Sequence, residues 1–193
     1  MSNKVTAAKP VVGGAIAVAP SGTTLPSDAT TALGAAFTQL GYITEEGLVN
    51  TNDISTDSIK AWGGDEVLTL YQGREDGFQY TLMDAMDVNV LKQVYGAENV
   101  TGTLSTGIKI TVKSNLELPE QVMVVDMILK DGNLKRIVIP CARVTEVGDI
   151  TYSDSDAVGY ETTVKALPDS NGNTHYEYIH GPVGATGATG GNG

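Results

Sequence analysis

Short segments in which apolar and polar residues alternate recur along the chain, and this period of two restricts the fold more than any other feature. In Ile108–Lys113, three apolar side chains alternate with three polar ones. Segments Gln121–Lys130 and Leu134–Ile139 flank Asp131-Gly132-Asn133, and Asp-Gly is a strong signal for a hairpin turn. The 22 threonines, 20 valines and 11 isoleucines suit a pleated surface. We therefore predict an antiparallel sheet protein.

Other segments of the chain add strands and a single helix to this prediction. Asp84 or Asp87 suits the N-cap of a helix and Gly96 a left-handed C-cap. Between them, Val88, Leu91, Val94 and Tyr95 share one helical face. This spacing predicts one short α-helix that packs on the sheet, because so short a helix is marginal alone. The further predicted strands are Gly14–Ala19, Phe37–Ile43, Val67–Gln72, Gly77–Leu82, Cys141–Val147 and Gly159–Leu167.

The composition changes along the chain predict three parts. Residues 1–32, rich in Pro, Ala, Gly, Ser and Thr, indicate an extended N-terminal arm, and residues 33–180 a single β domain. Within that domain, residues 44–66 are polar and irregular, and such long segments are usually functional or interfacial. Residues 181–193 carry glycine at every third position, which favours a flexible tail over a collagen-like tract because they contain only one proline.

Charge and hydropathy exclude several classes of protein. With 23 acidic and 12 basic residues the formal net charge is −11, whereas nucleic-acid binding relies on Lys and Arg. No apolar run approaches the roughly 20 residues that span a bilayer, so no membrane association is expected. The N-terminus shows no secretory signal, which predicts a protein made in a cytoplasm and soluble there at first.

The residues that could carry chemistry form no catalytic pattern. The only cysteine, Cys141, lies in an apolar setting, which predicts a buried, inert thiol. A metal site on His175 and His180 would need help from Glu177, so surface histidines are the preferred interpretation. No P-loop, nucleophile elbow or HExxH motif is present. We expect neither a cofactor nor an enzyme.

Trp62, the only tryptophan, stands beside Gly63-Gly64 in the polar segment 44–66. It could pack on its own domain as a loop anchor, or it could anchor an interface, since Trp is enriched at binding hot spots. The residues around it leave both interpretations open.

Seven stretches, taken in order, carry a family resemblance: Leu40–Leu48, Asp57–Asp65, Phe78–Leu82, Val94–Gly96, Ile139–Asp149, Gly159–Val164 and Ala166–Asp169. Together they resemble the major tail proteins of long-tailed, non-contractile bacteriophages, over roughly residues 13–178. The resemblance implies a β-sandwich or small barrel with one helix. It also implies a virion protein, assembled in the host cytoplasm, whose hexameric rings stack into a hollow tube. The implied partners are further copies of the chain, a tape-measure protein, and tail terminator and tip proteins.

The resemblance further implies a long loop that reaches the neighbouring ring, and segment 44–66 is the candidate. Ile59 and Trp62 would be its apolar anchors. The predicted inter-ring residues are Asn52, Asp53, Ser55, Asp57, Ile59, Lys60, Trp62 and Asp65. DNA would pass through the tube without specific binding, because an acidic lumen repels it weakly. Asp126 is the predicted lumen-facing acid, and a lumen lined by Lys109, Lys113, Lys135 and Arg136 would contradict this charge argument.

Two other classes of protein compete with this prediction. A surface adhesion or carbohydrate-binding β-sandwich would also be acidic and Thr-rich, but it would normally carry an export signal. An enzyme would need converging catalytic or metal-binding residues, which the motif search does not find.

Overall fold

The computed structural model describes residues 4–182, so the predicted Gly-rich tail lies outside the described residues beyond Pro182. The mainly β, antiparallel fold of sandwich type with one short helix is confirmed; within residues 4–182 the sheet does not close into a barrel. The elements are β1 (Lys9–Pro10), β2 (Ile16–Pro20), β3 (Thr38–Gln39), β4 (Val49–Lys60), β5 (Glu66–Leu82), α1 (Val88–Tyr95), β6 (Val100–Thr103), β7 (Gly107–Ile110), β8 (Gln121–Ile128), β9 (Leu134–Val147), β10 (Tyr160–Leu167) and β11 (Tyr176–His180).

Nine strands form one antiparallel sheet in the order β3-β2-β8-β9-β10-β5-β4, with β1 also paired to β8 and β11 to β9. The predicted Asp-Gly turn joins β8 to β9, and Asp131 has a left-handed φ of 62°. The two strands predicted on either side of Pro140 are one continuous strand, β9. The register of β8 shifts between Gln121 and Met123, opposite Pro140, so the missing proline N–H falls at a bulge.

The main core lies between one face of this sheet and α1. Val90, Leu91 and Val94 of the helix are buried against it. The predicted caps are also present: the Asp87 carboxylate accepts from the Asn89 N–H at 2.6 Å, and the Gly96 N–H donates to the Lys92 carbonyl. The helix predicted from the 3.6-residue spacing is therefore confirmed.

The predicted N-terminal arm is peripheral over only part of its length. The strand expected near Gly14–Ala19 forms as β2, which lies inside the sheet next to β8, with Ile16 completely buried. Residues that follow β2 also pack on the sheet, since the Asp28 and Thr31 carbonyls accept from Arg136. The apolar run Ala15–Ala19 explains the difference, because it buries more readily than its Pro- and Gly-rich flanks.

The start of β2 makes a close backbone contact that predicts the effect of one substitution. Gly14 has a φ of +118°, and a Cβ there would lie 2.2 Å from the Gly41 carbonyl oxygen. We expect Gly14→Ala to lower the free energy of unfolding by more than about 1 kcal/mol in a urea titration. Gly34→Ala is the matched control, because it has neither a positive φ nor an atom near the added methyl. Equal effects of the two variants would contradict the prediction.

Candidate assembly interface

The polar segment predicted to be an irregular loop over residues 44–66 is largely a β-strand. β4 pairs with β5 along its whole length, and the two strands form a hairpin closed by residues 61–65. At the turn the Ala61 N–H donates to the Asp65 carbonyl at 2.8 Å, and Gly63 and Gly64 have positive φ. The segment is polar because both faces of this strand are exposed, and this polarity hid the strand from the sequence pattern.

The far part of this hairpin extends beyond the packed body of the molecule. Apart from the half-buried Ser58 and Gly73, the residues of both strands are exposed until Asp76, the first buried residue on β5. At about 3.3 Å per residue, the exposed part of β5 is roughly 35 Å long. We call residues 52–75 the projecting hairpin. All eight predicted inter-ring residues lie on it, brought together on β4 and the turn.

One face of the projecting hairpin carries exposed apolar side chains. Ile59 lies opposite Leu68, and Leu70 follows two positions along the same face. These three residues remain 49%, 51% and 37% exposed. Leu68 and Leu70 are not among the predicted inter-ring residues, although the pair Gly63-Gly64, which lies just before the predicted strand Val67–Gln72, was a usable signal for a hairpin. Exposed apolar faces are typical of interaction surfaces.

Trp62 lies at the tip of the projecting hairpin and is fully exposed. Of the two interpretations left open by the sequence, packing on its own domain is therefore wrong for the single subunit. Nearby, the Asp57 carboxylate accepts from the Ser58 N–H, and Asn52 accepts from the Arg74 guanidinium. The role of Asp53, Asp57, Lys60 and Asp65 in setting register stays a prediction.

A buried carboxylate fixes the base of the projecting hairpin. Asp76 accepts from Asn50 Nδ2 at 2.8 Å and Thr174 Oγ1 at 2.7 Å, and it also pairs with His175 Nδ1. The His175 ring packs edge-on against Phe78, with centroids 5.4 Å apart. The prediction that His175 is a plain surface residue is therefore wrong: its side chain is only 15% exposed because it joins the hairpin base to the segment between β10 and β11.

This cluster predicts a loss of stability in acid. Burial raises the pKa of Asp76, but hydrogen bonds from Thr174, Asn50 and His175 outweigh it and hold the pKa below the ordinary 3.8. A carboxyl with a depressed pKa stabilises the fold fully above its unfolded pKa and stops doing so as pH falls through the folded value. We expect the free energy of unfolding to decrease as the pH falls below about 3.8. The Asp76→Asn variant should lose less of its free energy of unfolding over the same pH range. Parallel urea titrations from pH 7 to pH 2.5 would contradict this if both proteins declined equally.

The predicted lumen acid Asp126 lies on β8, away from the projecting hairpin. Its two oxygens accept from Nε and Nη2 of the buried Arg136, at 2.6 and 2.9 Å. That Asp126 faces the lumen stays a prediction, but its charge is balanced within the subunit. Lys113 and Lys135 are likewise paired, with Glu98 and Glu177. Three of the four cations that would contradict an acidic lumen thus have a carboxylate partner within the subunit.

The remaining candidate residues do not converge on a metal site within residues 4–182. No group of three or more His, Cys, Asp and Glu side chains there is placed to hold a metal ion. Cys141 is half-buried rather than buried, and burial, with Glu120 and Asp169 nearby, raises the pKa of its thiol. Across the same residues, no helix combines the length and the apolar character that crossing a bilayer requires.

Comparison with known proteins identifies a family for this fold. No curated protein matches the chain. A family model described as phage tail tube protein matches residues 3–188, almost the entire chain. The resemblance carried by the seven sequence stretches is thereby confirmed. The chain therefore belongs to the phage tail tube protein family, whose members are structural components of the virion tail.

Proposed function

We propose that six copies of this chain associate side by side into a ring, and that rings stack into the hollow tail tube through which DNA reaches the host. The observation that carries the proposal is the projecting hairpin. Its apolar face and Trp62 have no partner within the described part of the subunit, and its length suits contact with another copy. Family membership supports the same role.

The open sheet supplies the contacts within a ring. β4 forms one edge of the sheet, and the short strands β3 and β1 lie at the opposite edge. Unpaired edge N–H and C=O groups favour pairing with another chain, and a closed ring of copies leaves no free edge. Such a head-to-tail contact is heterologous, which means that it joins two different surfaces of the chain. Copies joined in this way form a closed ring when the rotation from one copy to the next divides a full turn evenly.

The projecting hairpin supplies the contact between rings. We assign the stacking contact to Ile59 and Trp62, with Lys60 and Asp65 setting the register. Stacking of this kind is open-ended, so the tube's length must come from another component. A tape-measure protein is the proposed length standard, and terminator and tip proteins are the proposed ends, with assembly in the host cytoplasm.

Net charge supports transport of DNA without retention. The chain carries a formal −11, and duplex DNA carries one negative charge per about 1.7 Å. A lumen lined by unpaired carboxylates repels the duplex weakly, whereas a basic lumen would bind it by releasing counterions. DNA thus passes through the tube without a specific site.

Negative-stain microscopy of the purified full chain tests the proposal, with sedimentation velocity as a second measurement. We expect rings with six-fold symmetry or hollow filaments, at a protein concentration that favours association. Monomers that persist at high concentration would overturn the proposal. They would favour the surface adhesion or carbohydrate-binding module instead.

A further inference from the structure

A half-open apolar cavity lies between α1 and the sheet, away from the projecting hairpin. Its volume is about 180 Å³, and most of its walls are aliphatic. Lys92 is the one cation among its lining residues, which include no carboxylate. The lining residues include Val18, Leu40, Lys92, Gln93, Ala97 and Leu118. Such a cavity suits an apolar group that brings a negative charge to its mouth.

Gln93 gives this cavity a polar group. Its side chain is more than nine-tenths buried, and its Nε2 is turned into the core towards the buried hydroxyl of Tyr80. The amide nitrogen is therefore not available to a guest, and the amide oxygen is the atom that can accept from an N–H donor in the cavity.

The tip of the projecting hairpin matches the cavity in size, polarity and charge. An apolar cavity of about 150 Å³ holds benzene, and a half-open one of about 180 Å³ has room for an indole ring. Indole has one N–H donor, which the Gln93 amide oxygen can accept. Asp65 and Glu66 follow Trp62 closely in the chain and would meet Lys92 at the cavity mouth.

The guest must come from a second copy of the chain. The projecting hairpin is a paired ribbon roughly 35 Å long, and Trp62 at its tip is fully exposed in its own subunit. Tip and cavity are different surfaces of one molecule. Each copy can therefore give a tip to one neighbour and receive a tip from another, which is a heterologous contact.

We propose that Trp62 of one subunit inserts into the cavity beside Gln93 of a neighbouring subunit, with the neighbour's Lys92 facing Asp65. The contact rests on the proposed function, because it requires that copies assemble. It specifies which surface receives the projecting hairpin.

Trp62 is the chain's only tryptophan, so its fluorescence reports this contact directly. We expect the emission of assembled wild-type protein to shift to the blue, and acrylamide quenching to fall several-fold relative to free subunits. Ala97→Phe should block the cavity mouth and weaken assembly at least tenfold. Ala157→Phe is the matched control, since both alanines are exposed and Ala157 does not line the cavity.

Cross-linking locates the receiving surface. In a Cys141→Ser background, we expect Ala61→Cys with Ala97→Cys to give disulfide-linked ladders in assembled material only. Ala61→Cys with Ala157→Cys should give none.

Tubes in which Trp62 keeps the emission of an exposed indole would overturn the inference while the proposed function stands. So would tubes that cross-link through the control pair but not through Ala97. A wild-type chain that never assembles would overturn the proposed function, and this contact with it.

Discussion

Replacing Trp62 with alanine is expected to raise the protein concentration needed for assembly by about 30-fold to several hundred-fold. Truncating an aromatic hot spot typically costs about 2–4 kcal/mol, and each 1.4 kcal/mol is about tenfold in affinity. The melting temperature of unassembled subunits should not change, because Trp62 is fully exposed at the tip of the projecting hairpin. Light scattering over a concentration series measures the first effect, and thermal unfolding of dilute protein the second.

Two controls separate loss of the indole from general damage. Trp62→Phe keeps an apolar ring and should retain most of the assembly. Val112→Ala removes another exposed apolar side chain, outside the projecting hairpin, and should behave like the wild type. A lower melting temperature for unassembled Trp62→Ala would contradict the prediction, because it would place Trp62 in a packed contact of its own subunit.

The largest expected loss of stability comes from Arg136→Ala, at about 3–5 kcal/mol in the free energy of unfolding. Arg136 is 4% exposed and bonds both oxygens of Asp126. Its Nη1 also donates to the carbonyls of Asp28 and Thr31. Removing the guanidinium leaves a largely buried carboxylate and two carbonyls without their donor. Urea titration at neutral pH measures the loss.

Arg143→Ala is the matched control for this prediction. Arg143 also lies on β9 and pairs with Glu120, but its side chain is 39% exposed. An ion pair that water reaches contributes about 0–1 kcal/mol. The combined variant Arg136→Met with Asp126→Leu should lose less than Arg136→Ala, since no uncompensated charge remains. A loss of less than 1 kcal/mol for Arg136→Ala would contradict the buried-pair account.

Local patterns were sufficient to predict much of the fold. The helix was recognisable from Asp87, Gly96 and the apolar spacing between them, because caps and periodicity act within a few residues. The turn at Asp131-Gly132 also indicates which residues of the two strands face each other. Asp126 lies five residues before Asp131 and Arg136 lies five residues after it. Antiparallel strands joined at this turn therefore place the two residues opposite each other. The ion pair could therefore have been predicted from the turn.

Other features depend on contacts that no local pattern contains. β4 reads as a loop because neither of its faces is buried in the subunit; its strand is specified by pairing with β5. The cluster at the hairpin base joins Asp76 to His175, which lies 99 positions along the chain. The cavity that includes Gln93 likewise combines residues from α1, β2, β8 and β9. Only the folded chain brings these groups together.

The exposure of the projecting hairpin on both faces also determines what a mutational survey can detect. Substitutions there remove little from the subunit's own packing, so expression level and thermal stability would rate most of them as harmless. The same substitutions would be severe in a survey that scores infectious particles. The difference between two such surveys, position by position, would outline the surfaces that this chain keeps for its neighbours.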